Sequence, residues 1–249
     1  MTTSLQNLPL GELLDQLAAK TPAPGGGAAA CAAGALAASL GHMVVAYSIG
    51  KKSLAAHQEE LDRASRMLQR ARAVFLDLAD EDARAYALVN ELMRLPEADP
   101  RRTRLWPEAV RTSTQIPLAA IAASADLLRL CETLAPITNP MLRSDLGIAA
   151  VLAHAAAVAS RWNVLANAST LPEGERLAPL AQADAILQRA ADLQHQRRDQ
   201  PQFLRRESHA AVGARGRGRG RLVLHQPALL RARINRASET KAAGLFQQS

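Results

Sequence analysis

Asp82 is the residue of this chain whose type and position most directly suggest chemistry. It follows Leu61, Leu68 and Phe75 at seven-residue intervals, and Val89 continues the series. This spacing is typical of the packed seam of a long helix. A carboxylate buried in such a seam has a raised pKa that suits proton transfer, so we predict that Asp82 exchanges protons with a ligand. The alternatives are a polar residue that fixes helix register, and a seam that turns outward.

A loop rich in proline and glycine, residues 22–27 (PAPGGG), runs directly into an apolar helix. The free backbone N–H groups and the dipole of a helix N-terminus favour an anion or a carbonyl-rich ligand. The loop is not a Walker phosphate loop, because no Gly-Lys-Ser/Thr follows it at the required spacing. The alternative is that the glycines permit a tight turn and close helix packing. The candidate binding residues here are Pro24, Gly25, Gly26 and Gly27.

Two further groups of polar residues are candidate ligand contacts. Asn163 and Asn167 are one turn apart on a predicted alanine-rich helix, so both amides can face one ligand or can bond to loops instead. Asn139, Ser144 and Asp145 lie close together before that helix, where Ser144 or Asp145 is a good N-cap. Turn and cap chemistry explains this second group without a ligand. No metal-ligand spacing and no nucleophile–histidine arrangement is present, so we expect no metal site.

The elements that must position these residues are helices. The composition is 48% hydrophobic, much of it alanine, with only 3% aromatic residues, which favours helix over strand. Helical periodicity predicts an all-α bundle of about six helices, the long ones antiparallel, and no segment alternates like a strand. The predicted helices span about residues 8–19, 28–48, 54–95, 103–134 (kinked or interrupted at Pro117), 144–168 and 172–196.

Composition also bears on the compartment. The uncharged stretch 21–50 is long enough to span a bilayer. It is mostly alanine and glycine, with two prolines and a histidine, so a buried helix of a soluble protein is the better interpretation and no membrane partner is expected. The first residues lack the charged and apolar regions of a signal peptide. Two cysteines, Cys31 and Cys131, cannot build a disulfide framework, and we predict a cytoplasmic protein with reduced thiols.

The charge of the chain is divided unevenly. Residues 1–200 hold 20 basic and 21 acidic residues, whereas residues 201–249 hold 10 basic and 2 acidic ones, which gives net charges of −1 and +8. We therefore predict a helical domain over residues 1–199 and a basic, disordered tail over residues 200–249 that contains the run RGRGRGR. Any nucleic-acid binding is expected of this tail alone, whose arginines could meet RNA phosphates.

From about residue 8 to residue 196, the chain resembles the cyclodeaminase/cyclohydrolase family, which acts on folates that carry one-carbon units. The most specific match is PAPGGG (22–27) with the alanine-rich helix and SIGKK (48–52) behind it. Supporting matches are DARAY (82–86), IPL (116–118), SDLGIA (144–149) and NVLAN (163–167). The chain departs from the family pattern at Met141, where asparagine is usual, and at residues 46–48 (AYS), where the family has Asn-Leu-Thr.

The resemblance implies an all-helical homodimer that binds a tetrahydrofolate derivative in a helical cleft, without a metal or redox cofactor. The functional aspartate of the family falls on Asp82, and its polar folate-contacting loop falls on residues 139–145. Lys51 and Lys52 are candidates for the folate carboxylates, and Tyr86 accompanies Asp82 in its motif. The expected activity is hydrolysis of 5,10-methenyltetrahydrofolate to 10-formyltetrahydrofolate. The alternatives are a formiminotetrahydrofolate cyclodeaminase, which releases ammonia, and a non-catalytic folate- or RNA-binding relative.

Overall fold

The computed structural model describes residues 4–198, with side chains as far as residue 189. This range contains six α-helices, four short 3-10 helices and no strand, which confirms the predicted all-α fold. The helices are α1 (Leu10–Ala18), α2 (Gly26–Ala46), α3 (Gln58–Met93), α4 (Pro100–Leu134), α5 (Arg143–Ala168) and α6 (Leu177–Arg198). The predicted basic tail, residues 200–249, lies outside the described residues, so the domain boundary stays a prediction.

Four helices form a ring around the core. α2 packs on α3, α3 on α4, α4 on α5 and α5 on α2, while α6 lies against α4 and α5. Short connections join successive helices of the ring, so neighbours run antiparallel. Within the described chain no residue of α1 is buried, although this helix carries a leucine-rich face.

A series of glycines in α2 faces the seam of α3. A Cβ atom added to Gly34 would overlap the ring of Phe75, and one added to Gly41 would lie 3.2 Å from Cδ2 of Leu68. Phe75 and Leu68 are both fully buried. The predicted seven-residue seam is therefore confirmed as a packed surface, and the small residues of α2 let the two helices approach closely.

We predicted that α4 is kinked or interrupted at Pro117. It is not interrupted, because it runs from Pro100 to Leu134 as one helix. A proline has no N–H, so the carbonyl of Ser113, four residues earlier, loses its usual intrahelical partner. Nδ2 of Asn167 on α5 donates to that carbonyl oxygen at 2.6 Å. Asn167 therefore satisfies the acceptor that Pro117 leaves free.

The predicted N-cap of α5 is wrong. A 3-10 helix, Pro140–Leu142, leads directly into α5, which begins at Arg143 without a side-chain cap. Oδ1 of Asn139 accepts a hydrogen bond from the amide of Met141 at 3.3 Å, so Asn139 caps the shorter helix instead. Ser144 and Asp145 consequently lie inside the first turn of α5, because the chain becomes helical earlier than the spacing indicated.

Two segments are long and apolar enough to span a membrane by length and composition alone. The apolar window of Gly26–Ala46 is 56% buried inside the structure, whereas the window within Pro140–Ala168 is 28% buried. Burial on this scale makes α2 the core helix of the bundle. α5 is less buried, although residues such as Leu146, Ala153 and Val164 lie in the core.

Candidate active site

The carboxylate of Asp82 lies against the start of α2. A Cβ atom added to Gly27, the second residue of α2, would overlap this carboxylate. The backbone amide of Ala28 donates a hydrogen bond to Asp82. Asp82 thus occupies the end of the glycine seam, and α3 continues from there to Met93, past the point where α2 begins. Only glycine at position 27 leaves room for the carboxylate.

Two opposing influences act on the ionisation of Asp82. Burial penalises the charged form, and the hydrogen bond from the Ala28 amide favours it; burial is the larger effect and raises the pKa of Asp82 from 3.8 to about 6. Asp82 itself is half-buried. Near neutral pH it is therefore mostly a carboxylate, with about a tenth protonated at pH 7. This balance suits a group that takes up a proton and returns it.

Asn163 comes to the same end of α2. Its Oδ1 lies 3.3 Å from the position that a Cβ atom on Gly26 would occupy, and its Nδ2 donates to the carbonyl of Ala159 at 3.3 Å. Pro24 is buried in the loop before α2, and Tyr86 is 45% exposed one turn beyond Asp82 on α3. The glycine loop, Asp82, Tyr86 and Asn163 therefore belong to one region at the N-terminus of α2.

The structure does not bring five of the predicted residues to this region. Ser48, just past the C-terminus of α2, is fully buried and its Oγ accepts a hydrogen bond from the amide of Asn139 at 2.9 Å. α2 has 21 residues, so its two ends are about 30 Å apart at 1.5 Å per residue. The residues at the far end are Lys51, Lys52, Asn139, Ser144 and Asp145. Within one chain, the candidate site is therefore divided between the two ends of α2.

Asp80 is a buried polar residue that the sequence analysis did not single out. Its carboxylate accepts hydrogen bonds from Oγ of Ser4 and from the amide of Leu5, the latter at 2.7 Å. These bonds attach the N-terminal segment to α3 near the Asp82 site. Asp80 lies outside the seven-residue series, and its partners are 75 and 76 residues away in the chain, so no local spacing signals its role.

The buried thiols and other titratable groups do not form a second reactive centre. Burial, helped at Cys31 by the nearby charge of Asp82, raises the pKa of both cysteine thiols to about 12, so they stay protonated at neutral pH. Both cysteines are free. Among the described residues, no three His, Cys, Asp or Glu side chains converge as metal ligands.

The surface of the described residues has two small depressions, and Asp82 lines neither of them. One, of about 130 Å³, is an apolar groove between α3 and α4 that includes Ala85 and Leu88; the other, of about 190 Å³, is lined by α4 and α6. Sites for organic ligands typically measure about 300–1,000 Å³. Neither depression, as formed by the described part of one chain, is large enough to enclose a folate.

Comparison with known proteins gives consistent matches. Residues 9–184 match the family model described as formiminotransferase-cyclodeaminase. Methenyltetrahydrofolate cyclohydrolase from Methylorubrum extorquens is 32% identical over 164 residues, covering 64% of this chain and 79% of that protein. The formimidoyltransferase-cyclodeaminases of Gallus gallus and Sus scrofa are 30% and 32% identical, but the matches span only 30% and 31% of their lengths.

A solved structure shares the fold. The formiminotetrahydrofolate cyclodeaminase from Thermotoga maritima superposes with a TM-score of 0.65 at 28% sequence identity. The superposition covers 76% of this chain and 96% of that one. The helical ring and the helices around it are therefore common to both proteins.

Proposed function

Because the chain belongs to the formiminotransferase-cyclodeaminase family, we propose that it is a folate one-carbon enzyme that hydrolyses 5,10-methenyltetrahydrofolate to 10-formyltetrahydrofolate. The observation that carries this proposal is the carboxylate of Asp82, which is held at Gly27 with a pKa of about 6. The similarity to a methenyltetrahydrofolate cyclohydrolase over 79% of that protein's length supports the choice of reaction.

A single carboxylate suffices for this chemistry. The methenyl carbon bridges two nitrogens of a cationic amidinium and is already electrophilic, so water needs only a base in order to attack it. Asp82 takes one proton from the water as the new C–O bond forms. The C–N5 bond then breaks, Asp82 returns its proton to N5, and the hydroxyl proton leaves to solvent as the formyl C=O forms.

The other residues at the N-terminus of α2 have binding roles in this proposal. The amides of Gly25, Gly26 and Gly27 at the helix start can donate to ligand carbonyl or carboxylate oxygens. Oδ1 of Asn163 can accept a hydrogen bond from the pterin, and Tyr86 offers an exposed ring. Asn167, in contrast, has its Nδ2 occupied by Ser113, so only its Oδ1 is available to a ligand.

Cyclodeamination of formiminotetrahydrofolate is the second candidate reaction. The observation that favours it is the structural match to a cyclodeaminase over 96% of that protein's chain. Incubating the purified protein with each folate separates the two reactions. Loss of methenyltetrahydrofolate absorbance without ammonia release is the result we expect, whereas ammonia released from formiminotetrahydrofolate would assign the cyclodeaminase.

Replacing Asp82 tests the residue on which the proposal depends. We expect Asp82→Asn to lower kcat by about 10²–10⁴-fold, because the amide keeps the shape of the carboxylate but cannot carry the proton. Asp77→Asn is the matched control, since Asp77 is an exposed carboxylate on the same helix. A near-normal rate in Asp82→Asn would leave the carboxylate with a packing role only.

We further propose that the protein acts in the cytoplasm as a homodimer without a metal or redox cofactor. The free, buried thiols are compatible with a reducing compartment. The proposed reaction is a hydrolysis, which transfers no electrons to a redox group. Sedimentation of the purified protein tests the dimer, and activity after dialysis against a chelator tests the cofactor requirement.

A further inference from the structure

The N-terminal segment that carries α1 begins and ends beside Asp82. At its start, Asp80 accepts hydrogen bonds from Oγ of Ser4 and from the amide of Leu5, the latter at 2.7 Å. At its end, Gly27 meets the Asp82 carboxylate. Asp80 and Asp82 are two residues apart on α3, so both ends of the segment are held within one helical turn of the candidate base.

Between these two anchors, α1 stands away from the bundle. None of its nine residues is buried, and no other helix of the described chain packs closely against it. Nε2 of Gln16 donates to Glu12 within the helix at 3.4 Å. The connection from α1 to α2, residues 19–25, can extend to about 24 Å. α1 is only about 14 Å long, so it can move by more than its own length while both anchors hold.

The leucines of α1 share one side of the helix, because they recur at intervals of three and four. They are Leu10, Leu13, Leu14 and Leu17, of which the first and third are 67% and 55% exposed. Gly11, Glu12 and Asp15 lie away from this side. A helix as short as α1 is marginal in water unless its apolar side is covered. The exposed leucines therefore indicate a second state of the protein in which they are buried.

The Asp82 site, in turn, lacks a cover. α2 begins at Gly26, so the side of α3 that meets α2 is open beyond that point, and Tyr86 there is 45% exposed. Neither surface depression of the described residues has the volume of a folate site. Exclusion of bulk water strengthens the electrostatic interactions between a carboxylate and a cationic substrate. An element that covers this site would therefore assist the reaction.

We propose that α1 is a lid that closes over the Asp82 site when a folate binds, with its leucine side against the aromatic rings of the substrate. The inference rests on the proposed folate activity, because that activity supplies the rings. The anchors at Asp80 and Gly27 serve as hinges, which keep the lid at the site in both states. Closure buries the leucines and leaves Glu12 and Asp15 in water.

Asp80 is a positioning residue in this mechanism. It acts through the backbone of Leu5, whose side chain packs against the main core. The first hinge is therefore fixed to α3 and to the core together. This role accounts for a buried carboxylate that takes no part in the proposed proton transfer.

The first experiment measures closure by the reactivity of an introduced thiol. Leu14→Cys places it on the leucine side of α1, and Asp15→Cys, the matched control, places it on the opposite side. Cys31 and Cys131 contribute little, because both are buried with a pKa of about 12. An equilibrium mixture of 5,10-methenyl- and 10-formyltetrahydrofolate at saturation should slow the reaction of Leu14→Cys with a soluble disulfide reagent more than tenfold. Asp15→Cys should react at the same rate with and without the folates.

Two outcomes of this experiment would overturn the lid. One is a Leu14→Cys thiol that reacts equally fast with and without the folates. The other is a thiol that is already protected before any folate is added, because α1 would then be covered by a second copy or by another part of the chain.

The second experiment removes the apolar cover. Leu10→Gln/Leu14→Gln should lower kcat/KM more than tenfold, with helical circular dichroism and sedimentation unchanged, because both leucines are exposed in the open state. The matched control is Met67→Gln/Val74→Gln, which makes the same change at exposed apolar positions of α3 and should keep the wild-type kcat/KM. Normal activity in the leucine variant, or a change in its sedimentation, would contradict the proposal.

The third experiment tests the hinge. Asp80→Ala should abolish the protection of Leu14→Cys by folate, whereas Asp80→Asn, which keeps an oxygen for the amide of Leu5, should retain it. A merely structural role would lower stability without changing the protection. Ser4→Ala removes only one of the two bonds and should weaken the protection, which keeps the test available if Asp80→Ala does not fold. Full protection in a folded Asp80→Ala protein would refute the hinge.

The lid and the proposed reaction fail in different ways. Protection of Leu14→Cys in a protein that turns over neither folate would support the lid and refute the reaction. Normal turnover with an unprotected thiol would do the reverse.

Discussion

At the scale of single residues, Asp82 shows what a sequence can and cannot predict. The seven-residue series identified it because a carboxylate in an apolar seam is rare. The series could not predict that Gly27 and the amide of Ala28 meet the carboxylate, because that contact depends on where another helix begins. The opposing effects of burial and the amide, which set the pKa, therefore became visible only in three dimensions.

The raised pKa of Asp82 predicts a specific pH dependence of stability. The folded state holds its proton up to about pH 6, whereas the unfolded chain releases it near 3.8, so stability falls as pH rises from about 4 to 6 and the loss persists above that. The loss is on the order of 3 kcal/mol. Asp82→Asn should lack it, so chemical denaturation should show the variant more stable than wild type at pH 8 and equal near pH 3.5.

The ionisation of Asp82 should also determine how kcat/KM depends on pH. With Asp82 as the base, kcat/KM should fall about tenfold per pH unit below pH 6, because the carboxylate becomes protonated. A profile that stays flat down to pH 5 would show that the ionisation of Asp82 does not limit the reaction. Initial rates in buffers from pH 5 to 8 measure this profile.

Gly27→Ala tests whether the close approach to α2 places the carboxylate. The added methyl group overlaps the Asp82 carboxylate, so the side chain must move and we expect turnover to fall more than tenfold. Gly11→Ala is the matched control: Gly11 is also the second residue of its helix, but a Cβ there meets nothing within 4 Å. The control should keep full activity and a slightly higher melting temperature.

At the scale of elements, the helices were predictable and their ends were not. Apolar periodicity identified all six, although no residue of α1 is buried within the described chain. α4 begins three residues earlier than predicted, because Oδ1 of Asp99 accepts hydrogen bonds from the amides of Arg101 and Arg102 and Pro100 occupies the first turn. The carbonyl of Ser113 that Pro117 leaves free is bonded by Asn167, which is 50 residues away from Pro117 in the chain, so local rules could not predict this contact.

The bond between Asn167 and Ser113 predicts a conditional loss of stability. Asn167→Ala should cost about 1–3 kcal/mol of unfolding free energy, because it leaves the Ser113 carbonyl unsatisfied. In a Pro117→Ala background the backbone N–H at position 117 is restored and can donate to the Ser113 carbonyl. Asn167→Ala should then lower the free energy of unfolding by less than it does in the wild-type background. Equal costs in both backgrounds, measured by urea denaturation in a double-mutant cycle, would rule out this role for Asn167.

At the scale of the whole molecule, the sequence predicted the constituents of the site but not their separation. The order of the motifs along the chain does not predict which helix ends lie at the same end of the bundle. Lys51 follows the glycine loop by only 24 positions, yet the intervening residues form a single helix that carries it to the opposite end of the ring.

The basic tail gives a prediction about the protein as a whole. Deletion of residues 201–249 should leave folding and folate turnover intact, because the described helices and the candidate site residues all precede it. Retention on an RNA column, if the full chain shows any, should be lost with the +8 charge. Insoluble protein after the deletion would show instead that the tail is part of the folded unit.

The three glycines at the start of α2 have a consequence for how the site opens. Gly25 is the N-cap of α2, and Gly26 and Gly27 are its first two residues. Within a helix, glycine has the lowest propensity after proline, about 1 kcal/mol below alanine in the interior. The first turn of α2 is therefore the part of this helix most prone to fraying, and each fraying event removes the Ala28 amide from Asp82. The ionised carboxylate accepts a stronger hydrogen bond, so the Ala28 amide should be better protected against exchange with deuterated solvent when Asp82 is ionised. Proton transfer at Asp82 is therefore coupled to local opening of the first turn of α2.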